Sequence, residues 1–325
     1  MVMTQPDTGS WTTGTEASSV SARRAHGILI VDKPEGLSSF QTVQRVARML
    51  SLVKAGHCGT LDPFATGVLL VAVSQGTRIV DQLTLHDKEY VCTARFGVET
   101  DTLDGTGRVQ ARYEGSPVGM GLCESAVGSF VGSFEQEVPR FSAVQVGGRR
   151  LYEMARKGLE VTPPRRTVTI ESVTLLDYQW PHATFRVRCG KGTYIRQLIA
   201  DIGHEMGCGA HVQALRRTAS GPFTEDRALS FAEIEMLRPG GLWTEKLVPL
   251  KDALAHLPSV RLEDEDLLGR LRNGDLDRGW QRDQRLSLPE GQGPVCILTP
   301  GMQLAALWWP RAAEGAERRL RVFPF

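Results

Sequence analysis

A chain of 325 residues with 41% hydrophobic content can bury a sizeable core, and this length predicts one large domain plus a smaller one. Its 38 basic and 37 acidic side chains leave a net charge of +1, which excludes a protein that binds polyanions through bulk charge. The longest apolar run, Val68 to Val73, is far too short to span a bilayer, and the six cysteines form no CxxC pair or Cys/His cluster, which argues against a disulfide scaffold and a zinc site.

Residues 4 to 21 are rich in Ser, Thr and Gly and lack the basic start and apolar run of a signal peptide. They predict a disordered tail over 1–25 and, with free thiols, a cytoplasmic protein. Gly27 to Asp32 predicts a buried strand that turns through Lys33-Pro34-Glu35-Gly36. Ser38 and Gln41 form a capping box, after which Phe40, Val43, Val46 and Leu50 recur on one helical face, with Arg45 and Arg48 on the other. Next comes the stretch from Gly56 to Gly67. Its glycines at 56, 59 and 67 and its Pro63 exclude a regular helix, and a bent loop between apolar segments displays side chains rather than packing them. It offers His57, Thr60, Asp62 and Thr66. Pro63 pushes Asp62 toward extended geometry, so that its carboxylate projects from the turn. An Asp before Pro also accepts hydrogen bonds from its own turn, and the loop alone leaves both readings open.

The run 68–73 predicts a strand and 77–85 a short helix. Lys88 to Phe96 alternates with period two, setting Tyr90, Cys92, Ala94 and Phe96 against Val91, Thr93 and Arg95, and predicts a strand. Residues 97–107, with Glu99, Asp101 and Asp104, predict a loop whose spacing is not that of an EF-hand. A helix over 122–131 follows, then a strand over 141–146, a Gly147-Gly148 turn and a helix over 149–157 stopped by Gly158. A strand pair is predicted at 167–177 and 183–189, with Ala183, Phe185, Val187 and Cys189 facing inward.

Gly190 to Arg196 is a glycine-rich strand-to-helix turn of the kind that cradles phosphate through backbone donors, without the Ser or Thr of a P-loop. Taken locally, Tyr194 is a half-buried aromatic at the start of a helix whose apolar face is Ile195, Leu198, Ile199, Ile202 and Met206. A strand over 212–218 and a helix capped by Ser230 and Glu233 complete the large domain. Residues 261–285 are dense in both charge signs, and short strand signals at 295–298, 304–308 and 320–323 predict a small β-rich appendage. Between Arg140 and Arg166 seven basic residues face two acidic ones, and further basic groups occur at Arg186, Arg188, Lys191 and Arg196 and at Arg216-Arg217; a solvated face and a phosphate-tracking surface both fit this pattern.

The order of these motifs resembles the tRNA pseudouridine-55 synthases of the bacterial TruB family, over residues 26 to 250 and more weakly beyond. Val31 to Ser39, Gly56 to Pro63, Lys88-Glu89-Tyr90 and Thr100 to Asp104 carry the resemblance, as do Leu151 to Gly158, Lys191 to Arg196, Gly209 to Val212 and Leu215-Arg216-Arg217. It implies an α+β fold with a mixed, largely antiparallel central sheet flanked by helices, a catalytic domain over 26–255 and a PUA-like RNA-binding domain over 256–325. It further implies Asp62 as nucleophile, Tyr90 as the active-site tyrosine and Arg196 as the nucleophile's partner. His57, Asp104, Tyr194, Leu215 and Lys33 become substrate-binding residues. The implied partner is the T-arm of tRNA, with no protein partner, membrane, metal or cofactor, and the enzyme is expected to be a monomer. Phe141, Gln145 and Arg78 depart from the family's common Tyr, Lys and Lys.

Forming pseudouridine breaks the N1–C1′ bond, turns the base and joins C5 to C1′, with nothing oxidised or added. The base must first leave its stack, at a cost of roughly a few kcal/mol. A carboxylate can act covalently or electrostatically at such centres. Burial alone favours its protonation, which a cation such as Arg196 offsets. Tyr90 offers a ring for stacking and a hydroxyl for proton movement. Attack at C6 of the base and action at C1′ through a glycal both remain open. The competing readings are a non-catalytic RNA-binding or RNA-folding protein and a nucleoside glycosyl transferase or hydrolase. The latter normally needs a second carboxylate, for which Asp104 is the nearest candidate.

Overall fold

A computed structural model describes residues 25–159, 161–273, 293–309 and 320–325. The predicted tail, Ala25 apart, and part of the charged stretch 261–285 lie outside the described residues.

The chain begins with β1 (Gly27–Lys33), α1 (Ser39–Met49), β2 (Ala55–Cys58), β3 (Thr66–Val73), α2 (Val80–Leu83) and β4 (Lys88–Phe96). The capping box is formed, with Ser38 Oγ accepting from Gln41 N at 3.2 Å and the Gln41 side chain accepting from Ser38 N at 2.9 Å. After a small hairpin of β5 (Val98–Thr100) and β6 (Val109–Arg112) come α3 (Met120–Gly128), β7 (Gly132–Glu137), β8 (Gln145–Val146), β9 (Arg149–Arg150) and α4 (Leu151–Arg156). The long pair β10 (Arg165–Gln179) and β11 (His182–Cys189) leads to α5 (Ile195–Glu205), β12 (Ala210–Ser220), β13 (Phe223–Thr224), α6 (Phe231–Leu237) and α7 (Leu250–Ala253).

Among the described residues nine strands form one mixed sheet in the order β1-β3-β12-β4-β11-β10-β7, with β2 added to β3 and β13 to β12. Within this sheet only β3 and β12 pair in parallel among the described residues. This is the expected α+β architecture. Along β4 the buried positions alternate, as its period predicts, and Tyr90, Cys92, Ala94 and Phe96 pack with Ile195, Leu198, Ile199, Ile202 and Met206 of α5 and its C-terminal turn in one core.

The smaller unit comprises β14 (Ser259–Arg261), α8 (Glu265–Arg272), β15 (Val295–Leu298), β16 (Leu304–Trp308) and β17 (Leu320–Val322), its strands forming a four-stranded sheet. One face packs on α8 through Val295, Ile297 and Trp308. The other face, with Cys296, Leu298, Leu304 and Leu307, joins Phe323 in a cluster shared with Ile28, Ile79, Leu83 and Val248 of the large sheet and its surroundings. Polar contacts reinforce this join. Arg321 pairs with Asp81 at 2.9 and 3.2 Å and donates to the Arg78 carbonyl. Arg78 in turn donates to Val322 O and lies 4.9 Å over the Phe323 ring, so this departure from the family pattern serves the seam between the two units.

Three sequence expectations differ from the structure, and two elements have no counterpart in the sequence reading. Residues 55–58 form a strand because β3 supplies their backbone partners, so the loop proper is shorter than Gly56 to Gly67. The stretch 97–107 contains β5. Of the strand predicted over 141–146, only Gln145–Val146 pairs, against β9. The polar edge strand β7 and the short helix α8 were not read at all.

Candidate active site

The loop carrying Asp62 is pinned from two sides. Buried Ser39, in the first turn of α1, accepts from Leu61 N at 2.8 Å and donates to Leu61 O at 3.2 Å. Lys33, 0% exposed at the end of β1, donates to Pro34 O at 2.9 Å and Pro63 O at 3.1 Å. Burial lowers its pKa to about 8, an effect the Asp62 carboxylate opposes. Lys33 therefore ties the turn after β1 to the Asp62 loop, with its ammonium enclosed between them. Gly67 completes the loop at φ +98°, where any Cβ would collide with the main chain of Arg217.

Asp62 and Arg196 meet although far apart in sequence. Arg196 Nε donates to Asp62 Oδ2 at 2.8 Å and Nη2 to Oδ1 at 3.1 Å, a two-pronged pairing. The remaining donors go to Thr102 O at 2.8 Å and Phe141 O at 3.0 Å. Arg196 is 3% exposed whereas the Asp62 side chain is 34% exposed, so the pair has a buried cation and a carboxylate open to a visitor. At position 141 the contact is through the main chain, which a Phe supplies as well as a Tyr.

Asp104 lies on the far side of the guanidinium, its Oδ2 3.8 Å from Nη1. Its Oδ1 accepts from Thr102 Oγ1 at 2.8 Å, Thr106 N at 3.0 Å and Thr106 Oγ1 at 2.6 Å. At 5% exposure this carboxylate orders its own loop and faces Arg196.

Tyr90 and Leu215 are both buried and share a cluster with Leu61 and Ala65 at the base of the loop. Burial raises the Tyr90 pKa, opposed by the nearby Arg217 guanidinium. His57 sits on β2 opposite Val71, and burial, helped by Arg217, lowers its pKa. Tyr194 is half-buried at the mouth of α5 with the Arg166 guanidinium 5.3 Å from its ring. The structure thus brings Asp62, Tyr90, Arg196 and Leu215 together, with Asp104 and Lys33 as inward supports and Tyr194 at the preceding turn.

Two buried residues beside the site were missed by sequence reasoning. Gln136 of β7, 1% exposed, donates to Tyr194 O at 3.1 Å and accepts from Tyr194 N at 2.9 Å, holding the turn that presents Arg196. Nothing in its polar surroundings signalled this. Arg217 is also 1% exposed, whereas its neighbour Arg216 is paired with Asp32 at 3.0 Å and Glu225 at 2.6 Å. Of the two readings left open for Arg216 and Arg217, a solvated face or a phosphate-tracking one, neither fits the buried Arg217, whereas Arg216 stays partly exposed in its ion pairs. The signal was available: with period two, an inward Leu215 places Arg217 inward as well.

A basic-aromatic surface flanks the site. Arg150 and Arg156 lie 5.9 and 5.8 Å from the Tyr152 ring on the β9–α4 segment. Next to it a cavity of about 630 Å³ is lined by Leu103, Phe141, Leu151, Met154 and Gln197 among others. Among the described residues no helix is long and apolar enough to cross a membrane.

A bidentate Arg–Asp pair thus stands over a buried tyrosine and leucine on the central strands of a mixed sheet. The description "TruB family pseudouridylate synthase (N terminal domain)" matches residues 47–195, and "tRNA pseudouridylate synthase B C-terminal domain" matches 196–254. The chain is 52% identical over 298 residues to tRNA pseudouridine synthase B of Syntrophobacter fumaroxidans, covering 91% of this chain and 97% of that one. It is 42% identical to tRNA pseudouridine synthase B of Bacillus licheniformis, covering 89% and 94%. Among solved structures it resembles that of a Cbf5-Nop10-Gar1 complex with a TM-score of 0.67 and 25% identity, covering 99% of this chain and 90% of that one. The chain belongs to the TruB family of tRNA pseudouridine synthases, and it is an isomerase.

Proposed function

We propose that this enzyme converts uridine-55 in the T-loop of tRNA to pseudouridine, with Asp62 as the catalytic nucleophile. The observation that carries the reading is the bidentate Asp62–Arg196 pair, in which the arginine is buried and the carboxylate is not. The uridine is flipped into the space above Tyr90 and Leu215, where the Tyr90 ring stacks on the base. Arg196 aligns the carboxylate and balances its charge while N1–C1′ breaks and C5–C1′ forms. His57 and Tyr194 contact the RNA around the flipped base. Asp104 acts through Arg196 rather than on the nucleotide, which also weighs against a glycoside hydrolase, since this carboxylate is engaged and closed to water. The segment 26–255 is the catalytic domain, and 256–325 is a PUA-like unit that adds contacts to the body of the tRNA. The Arg150–Tyr152–Arg156 cluster suits a phosphate and stacking surface.

Asp62→Asn tests the assignment. It preserves size and turn-forming capacity while deleting the negative charge and the nucleophile. Pseudouridine formation in a T-arm stem-loop should vanish while affinity stays near parental, because phosphate contacts supply most of the binding. Multiple-turnover product from the pure variant would defeat the role given to Asp62.

A further inference from the structure

The pocket contains a second buried guanidinium that the reaction as described leaves idle. Arg217 lies directly opposite Tyr90 in the β4–β12 register, so the two side chains leave the same face of the sheet from neighbouring strands. On its other side Arg217 pairs with Gly67 of β3, and its Nε donates to Val68 O at 2.7 Å. Its Nη1 lies near Gly59 of the Asp62 loop, 3.7 Å from where a Cβ would stand.

The charge balance around it is unusual. Arg196 has Asp62 and Arg216 has Asp32 and Glu225, but among the described residues no carboxylate forms an ion pair with Arg217. One of its nitrogens, Nη2, is buried without a hydrogen-bond partner. Lys33 and Lys88, also buried, add positive charge nearby. A buried cation is costly unless it is paired, so an unpaired one in a pocket is expected to meet its counter-charge during turnover.

We propose that Arg217 is a positioning residue for the isomerisation: it anchors the Tyr90 hydroxyl from the adjacent strand and sets a fixed positive charge against it. The guanidinium, on the same sheet face with a partnerless Nη2, already opposes the rise that burial imposes on the phenol. Held by Val68 O through Nε, the guanidinium offers Nη2 to the phenol oxygen, and negative charge that gathers there in the transition state meets a cation that has no need to reorganise. This inference rests on the pseudouridine reading and deepens it by giving the Tyr90 hydroxyl an assigned partner.

A kinetic cycle in the full chain tests it, using single-turnover pseudouridine formation on a T-arm stem-loop with Arg217→Lys, Tyr90→Phe and the double variant. Arg217→Lys keeps a charge but loses the planar fork. It should slow the chemical step by about 10²-fold, the scale of one lost positioned donor, with stem-loop affinity unchanged. In the Tyr90→Phe background it should cost no more than about twofold, the noise of such cycles. If Arg217→Lys slows the Tyr90→Phe enzyme as much as it slows the parent, or leaves the parent's rate unchanged, the proposal is overturned. Arg217→Met, of similar length and uncharged, runs the same cycle should the lysine variant unfold, and unfolding of both would assign Arg217 to the core and overturn the proposal too. A parent that makes no product defeats the reaction reading and this inference together, whereas an active parent with an additive cycle defeats this inference alone.

Discussion

Gln136 offers a direct test of how the arginine is held. Its amide makes both of its hydrogen bonds to the main chain of Tyr194, two residues before Arg196, and it is 1% exposed. Gln136→Leu keeps the approximate volume, strips the Tyr194 N–H of its partner and leaves the Tyr194 C=O with the Leu198 N–H alone. One unsatisfied group costs about 1–3 kcal/mol, and since Tyr194 is only half-buried the lower end applies, for a loss of about 1–2 kcal/mol. Gln136→Glu separates the two bonds: the carboxylate still accepts from Tyr194 N but faces Tyr194 O where an N–H stood. That repulsion favours the protonated acid, so the folded pKa of the new carboxyl lies above its unfolded value of about 4.3. A carboxyl with a raised pKa binds its proton more tightly in the native state, so the variant is nearest to the parent at low pH. It loses about 1–3 kcal/mol as pH rises from the unfolded pKa through the folded one. Urea unfolding of both variants against the parent across pH 4 to 8 measures this, and single-turnover assays read the displacement of Arg196, for which about a 10²-fold loss is expected. A Gln136→Leu enzyme with parental stability and rate, or a pH-independent Gln136→Glu deficit, would refute the reasoning.

Two further outcomes follow from burial. Removing residues 256–325 strips Leu298, Leu304, Leu307 and Phe323 from the cluster around Ile28, Ile79 and Leu83; at about 1.5–3 kcal/mol per large side chain the remainder should melt at least about 10 °C lower by calorimetry, and an unchanged Tm would show that the two units do not share a core. Lys33, with its pKa lowered to about 8 from 10.5, binds fewer protons folded than unfolded between those values. It therefore makes the parent gain stability on Lys33→Met as pH rises through that window; a pH-independent difference in denaturation midpoint between the two would contradict the burial argument.

The sequence was most legible where one physical rule governed a whole element. The β4 alternation named the buried face correctly because β4 lies inside an antiparallel sheet with α5 packed against that face. The capping boxes at Ser38 and Ser230 and the apolar face of α5 held for the same local reason. Elements fixed by distant partners were not legible. Gly56 reads locally as the start of a loop, yet β3 draws it into a strand. The polar run around Gln136 is ordered by β10, which lies further along the chain. At the site, Asp62 and Arg196 were nameable through motifs, but the inward turn of Asp104 and the enclosed position of Lys33 depend on loops whose paths no local pattern encodes.

The position of β12 bears on how the enzyme comes into being. This strand is inserted between β3 and β4, which precede it by a long stretch of chain. Until it arrives, β1–β3 and β4–β11–β10–β7 are two separate half-sheets; β2 already covers β3 over Leu70–Val73, but β4 has an open edge that invites pairing with other chains. Such non-local closure is slow compared with local hairpins. The same closure sets Arg217 against both Gly67 and Tyr90. Refolding followed by enzymatic activity therefore reports the joining of the halves, and a chain stalled before that step is at once inactive and exposed to aggregation.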